Sequence, residues 1–223
     1  RDRINVHFLG VWDTVVAYSL PVDELTLAVD KWVWPMKCRD DSLLPNVQYA
    51  RHALSLDDER RTFHPIPWNE AKLKGTKEGN QPERLKQVWF AGAHSDVGGG
   101  YPDDGLSYVP LCWMLQEAAD KGLRLEPSVF DSYIALAAPT GRIYDPRSGF
   151  GVFWRYQPRD AQLLMGEGIT PIVHGSVMMR MTCGSDGYAP ISLPERINVL
   201  APYGPPVAFE AAAVQEALRE VEK

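Results

Sequence analysis

The sequence predicts an α/β fold, a parallel sheet with helices on both faces, and three observations lead there. Two short apolar runs, residues 4–12 and 86–93, read as buried strands because they are rich in β-branched and aromatic residues. The stretches between and after them carry apolar residues at helical spacing, and strands joined by helix-bearing connections belong to parallel sheets. Two strands cannot complete such a sheet, and the first residue is Arg rather than Met. The expectation is therefore a sheet incomplete at its N-terminal side.

The first run, Ile4 to Trp12, ends at Asp13-Thr14. Pro21 stands where a first helical turn begins, and Leu25, Ala28, Val29, Trp32 and Val33 recur at helical spacing up to Pro35. Residues 46–54 read as another short helix, followed by the charged run Asp57-Asp58-Glu59-Arg60-Arg61. Pro65, Pro67, Gly75, Gly79, Asn80 and Pro82 mark a loop over 64–82. The second strand leads straight into His94-Ser95-Asp96-Val97-Gly98-Gly99-Gly100-Tyr101. Val109, Leu111, Cys112, Leu115 and Ala118 predict a packed helix over 106–121 with Gly122 as its stop, and a further helix starts near Ser128. Beyond 140 prolines recur from Pro146 to Pro206, leaving a short helix at 174–181 and an Ala- and Glu-rich helical tail over 207–223.

Bulk properties narrow the function classes. The 223 residues suffice for one substantial domain with its own core. The net charge of −6 argues against nucleic acid as a partner, because phosphate binding needs clustered Lys and Arg. No apolar run approaches the roughly 20 residues of a membrane-spanning helix, and no secretory leader pattern stands at the N-terminus. The three cysteines, Cys38, Cys112 and Cys183, are widely separated and form neither a disulfide framework nor a Cys-x-x-Cys pair.

In open α/β sheets reactive groups gather beyond the carboxyl ends of the strands. Asp13 follows the first strand and His94 the second. A carboxylate that orients an imidazole and stabilises the imidazolium is the acid half of a nucleophilic triad. Acid before histidine is also the chain order of one large hydrolase class. Taken singly, a strand-end Asp is more often a turn residue and a lone His more often structural. The nucleophile is missing: no Gly-x-Ser-x-Gly occurs, and Ser95, Ser176 and Ser185 are not expected on a strand-turn-helix elbow. The Asp96–Gly100 run invites a phosphate-loop reading, but no Gly-Lys-Ser/Thr follows; the glycines fit a tight loop presenting His94, with Asp96 bonding its backbone. His94-x-Asp96 alone is weak metal-ligand spacing, so no metal and no cofactor is expected, although a metal-dependent hydrolase stays open as an alternative. Arg51 and the run from Asp57 to Arg61 read as a charged surface or an ion-pair network, and the Trp32–Met36 segment as core in preference to a lipid contact.

Three motifs in order carry a resemblance: Phe8-Leu9-Gly10-Val11-Trp12-Asp13-Thr14-Val15, Arg51-His52-Ala53-Leu54-Ser55-Leu56-Asp57-Asp58-Glu59-Arg60-Arg61, and Val88-Trp89-Phe90-Ala91-Gly92-Ala93-His94-Ser95-Asp96-Val97-Gly98-Gly99-Gly100-Tyr101. Together they resemble the α/β-hydrolase family that contains the first class of type VI secretion lipase effectors, over about residues 4–120, echoed by His174-Gly175-Ser176-Val177, Arg180 and Tyr188-Ala189-Pro190. The resemblance implies an α/β-hydrolase-like sheet and a serine esterase of phospholipase or lipase type. Its acid falls on Asp13 and its histidine on His94, with a lipid or other ester as substrate and contact with a membrane surface. The family's serine lies upstream of the acid strand, so an N-terminal segment absent here is expected to complete both sheet and triad. A non-catalytic scaffold of the same fold is the competing reading. Residues 1–140 are expected to be the C-terminal part of the catalytic domain, with 14–85 a helical and loop insertion. Residues 141–223 are expected to be an irregular Pro-rich extension ending in a helix. Location stays open between cytoplasm and export without a leader.

Overall fold

The computed structural model describes residues 4–15, 41–74, 83–183 and 187–201, with the backbone of 206–210. The elements follow as β1 Val6–Trp12, β2 Val47–Ser55, α1 Glu70–Lys74, β3 Leu85–Phe90, α2 His94–Gly98, α3 Tyr108–Ala119 and α4 Pro127–Leu136. Then come α5 Ala161–Met165, β4 Ile172–His174, α6 Gly175–Cys183, β5 Arg196–Leu200 and β6 Pro206–Glu210. One six-stranded sheet runs in chain order from β1 to β6; its first five strands are parallel and β6 is antiparallel.

Successive side chains of a strand point to opposite faces, so each central strand feeds two cores. On one face Ala53, Val88 and Phe90 meet Val97 of α2 and Val109, Trp113 and Met114 of α3. On the other, Leu54 and Trp89 meet Ala161 and Met165 of α5 and Val177 and Met181 of α6. This is the expected α/β layout, a parallel sheet buried on both sides. Gly10 lets α3 lie close to β1, since a Cβ there would stand 2.6 Å from Met114 Sδ.

Several expectations need correction. The expected helix over 46–54 is instead β2, so the span 14–85 is no mere insertion but carries a central strand. Gln48, Ala50, Arg51, Ala53 and Leu54 are good helix formers; pairing with β1 on one side and β3 on the other overrides that preference. Beyond residue 140 the expected irregular extension supplies β4 and β5 to the same sheet. At three residues between Pro171 and Gly175, β4 is too short to show any period. Residues 206–210, at the start of the expected helical tail, form β6 on the edge of β5. The remainder of that tail and the Trp-rich helix expected between Pro21 and Pro35 lie outside the described residues. No helix among the described residues is long and apolar enough to cross a membrane.

Candidate active site

β1 and β3 run parallel with β2 between them, so their carboxyl ends open on the same edge of the sheet. The two residues expected to carry chemistry, 81 positions apart, meet there: His94 Nδ1 lies 2.7 Å from Asp13 Oδ2. An ionised carboxylate only accepts, so Nδ1 carries the proton and Nε2 is left as the acceptor of the neutral ring. Nε2 has no hydrogen-bond partner among the described residues, and the His94 side chain is 31% exposed. This is the tautomer and exposure that a general base needs.

Asp13 is fully buried and is the one non-glycine residue with positive φ (40°) among the described residues. Such a conformation is sparsely populated and persists only where surroundings over-determine it. Here the Asp13 N–H donates to Ala53 O at 2.7 Å and the Ser55 N–H donates to Asp13 Oδ1 at 2.9 Å. The Arg159 guanidinium completes the clamp, Nη1 to Oδ1 at 2.6 Å and Nη2 to Oδ2 at 2.8 Å. The same two nitrogens donate to Ser55 O and Phe63 O, each at 2.6 Å. Burial alone would raise the Asp13 carboxyl, but the charge and hydrogen bonds of Arg159, with His94 and Ser55, hold it well below the usual carboxylate range. The acid is therefore ionised under any ordinary condition.

His94 is held from both ends. The backbone N–H groups of Gly92, Ala93 and His94 donate in turn to Asp57 Oδ2 (2.6 Å), Asp96 Oδ2 (2.9 Å) and Asp58 Oδ2 (3.2 Å). Three aspartate side chains thus gather on the backbone amides at the start of α2. The ring packs edge-on against Phe63 at 5.6 Å, and Phe63 in turn meets Trp154 edge-on at 5.3 Å and Arg60 at 3.4 Å. Residues 155–157 pair antiparallel with 59–61, which carries Trp154 and Arg159 back over the site.

Other candidates settle into local roles. Asp96 accepts from the Ala93 and Tyr144 backbone, as the tight-loop reading expects, and burial raises its carboxyl to about 6. Among the described residues no group of three or more His, Cys, Asp or Glu comes together in a way that could hold a metal. Within the charged run Asp58 pairs with Arg60 at 2.6 Å, while Arg51 is fully buried against Glu117 at 2.6 Å. Ser176 corrects an expectation, because it is the second residue of α6, which begins at Gly175 directly after β4, and so stands on a strand-to-helix turn. Its hydroxyl lies 2.8 Å from His174 Nδ1, so its partner is His174 and not His94. Ser95 is the second residue of α2, and Ser185 lies outside the described residues.

Sequence reasoning missed Asp57, Asp58 and Arg159. The two aspartates follow β2, and reading residues 47–55 as a strand would have flagged them as strand-end carboxylates. Arg159 sits after Pro158 in an irregular stretch, and nothing local marks it.

A 65-residue stretch is 34% identical to the uncharacterized protein YEL023C of Saccharomyces cerevisiae, covering 27% of this chain and only 10% of that protein's length. No solved structure matches the chain. The family described as T6SS phospholipase effector Tle1-like, catalytic domain, matches residues 1–117, a span that includes Asp13, His94 and three of the five parallel strands. With more than half of its residues matched, the chain belongs to the Tle1-like phospholipase effector catalytic domain family.

Proposed function

We propose that the chain supplies the acid and the histidine of a serine ester hydrolase of phospholipase or lipase type. The observation that carries this reading is the 2.7 Å contact between His94 Nδ1 and Asp13 Oδ2 at the carboxyl edge of a parallel sheet. Membership of a phospholipase effector family supports a lipid ester as the substrate. Asp13 fixes the ring and stabilises the imidazolium; His94 Nε2 takes the proton from a serine hydroxyl and then gives it to the leaving alcohol. No Gly-x-Ser-x-Gly occurs in the sequence. The nucleophile and its oxyanion donors therefore come from a segment outside these residues, seated against the free edge of β1. Among the described residues β1 has a single neighbour in the sheet, and Phe8, Leu9, Val11 and Trp12 are only half-buried, whereas Val88, Trp89 and Phe90 of β3 are buried. An added strand there would bury that row, and the site would then open toward a membrane surface holding the substrate.

The test is turnover of phospholipid vesicles and of a short-chain ester by the protein that carries the serine segment. Asp13→Asn should lower kcat by about 10⁴, because the wrong tautomer of His94 is then favoured. His94→Ala should do at least as much. A loss below about tenfold in Asp13→Asn would remove the pair from the mechanism and leave a non-catalytic scaffold as the better account.

A further inference from the structure

On the sheet face covered by α3, a cavity of about 860 Å³ lies among α3, α4, β4, β5 and the start of α6, with neither Asp13 nor His94 in its wall. Val109, Trp113, Ile134, Ile172, Met179 and Leu200 make most of that wall apolar, and charged and polar side chains of β3 and α3 line the rest. The volume falls within the roughly 300–1,000 Å³ of small-molecule sites. α4 has no buried residue at all, and its Val129, Ile134 and Leu136 are 45%, 43% and 52% exposed. A helix gains its stability in a fold by burying an apolar face, and of these three residues Ile134 lines the cavity, so α4 is short of a neighbour there.

The polar groups around the cavity are mostly satisfied by one another. Lys86 binds Glu117 at 2.5 Å and Gln116 binds Asp120 at 2.8 Å. Two groups are the exceptions, the buried Trp113 Nε1–H, which has no partner among the described residues, and His174. The Ser176 N–H donates to its Nδ1 at 3.3 Å, with the Ser176 hydroxyl 2.8 Å away on the same atom. Nδ1 is therefore the acceptor and the proton sits on Nε2, which has no partner among the described residues. Burial holds His174 neutral by lowering it to about 4. The site thus combines a largely apolar volume with two unpaired donors, the His174 Nε2–H and the Trp113 Nε1–H. A peptide segment would fit it poorly, because each of its residues brings backbone donors and acceptors that such walls leave unpaired.

We propose that this cavity binds a fatty-acyl chain, with the carboxyl or ester oxygen accepting from His174 Nε2–H and the tail lying between α4 and the sheet. The inference rests on the reading of the chain as part of a lipid-ester hydrolase and names a binding site for that substrate or its product.

Fluorescence titration of the chain with cis-parinaric acid tests it. Saturable binding is expected, weakened about tenfold or more by Ile134→Trp, which fills the cavity from a partly exposed position. His174→Phe, which removes the donor but keeps a flat ring, should weaken it about fivefold. Met179→Trp, also at a partly exposed wall position, repeats the filling test if Ile134→Trp folds poorly. Absence of saturable binding, or equal affinity in the filled variants, overturns the proposal. So does sedimentation showing a dimer that Ile134→Trp abolishes in place of probe binding. Asp13→Asn should bind the probe as the parent does. Intact turnover in Asp13→Asn with normal probe binding sinks the triad alone, and lost turnover without any probe binding sinks the cavity alone.

Discussion

Replacing Arg159 with Met probes the contact on which the acid depends. The substitution keeps much of the side-chain volume but deletes the two nitrogens that bind Asp13, Ser55 O and Phe63 O. Asp13 and Arg159 are both fully buried as side chains, so the carboxylate would be left without a counter-charge and out of reach of water. Breaking a buried pair from one side costs about 3–5 kcal/mol, a large share of the roughly 5–15 kcal/mol that holds a domain together. Urea unfolding at pH 7 should show a loss of about that size. The double variant Asp13→Asn/Arg159→Met should recover part of it, giving a coupling of about 2–3 kcal/mol in the cycle. The pH dependence follows with a definite sign. In the parent the Asp13 carboxyl is depressed, so its contribution is present above the unfolded value of 3.8 and is lost only as pH falls through the lower folded value. Without Arg159 burial dominates and the carboxyl is raised, so the deficit of the variant should shrink on acidification. A loss under about 1 kcal/mol at pH 7, or a deficit that stays constant as pH falls, would refute the argument that burial makes Arg159 indispensable.

Two further outcomes follow from other parts of the fold. Burial holds His52 and His174 at about 4 against an ordinary 6.5, so the unfolded chain takes up protons between those values and stability falls as pH drops through that window. Each contributes a slope of about 1.4 kcal/mol per pH unit, while Asp96, raised to about 6 from 3.8, and Asp57, also raised by burial, oppose it. His52→Gln, whose amide oxygen can still accept from Thr14, removes one of the destabilising slopes, so between pH 7 and pH 5 its stability relative to the parent should rise by about 1–2 kcal/mol in denaturant titrations. Gly92→Ala should cost about 2 kcal/mol or more by thermal melting, since Gly92 has φ +104° and a Cβ there would stand 2.4 Å from Asp96 Cβ. An unchanged melting temperature would mean that the turn presenting His94 is softer than its contacts imply.

The sequence by itself determined what local pattern and order encode. The apolar runs that became β1 and β3 announce strands, and Asp13 and His94 are legible because each follows such a run. The helix over 108–119 was legible from its period, and it ends before Gly122, with the Leu123 N–H donating back to Ala118 O at 3.0 Å. What only the tertiary structure decided is partnership. Residues 47–55 are composed like a helix, yet become the strand between β1 and β3 because a site flanked by two strands and buried on both faces accepts only an extended chain. That placement turns Asp57 and Asp58 from a surface charge run into the acceptors that hold the His94 turn. Arg159 reaches Asp13 from 146 positions away, along a loop whose course is set by its pairing with residues 59–61. A local window carries propensity and periodicity, but the choice of a distant counter-charge for a buried carboxylate is an energy of the assembled interior, and it exists only once the chain has folded around it.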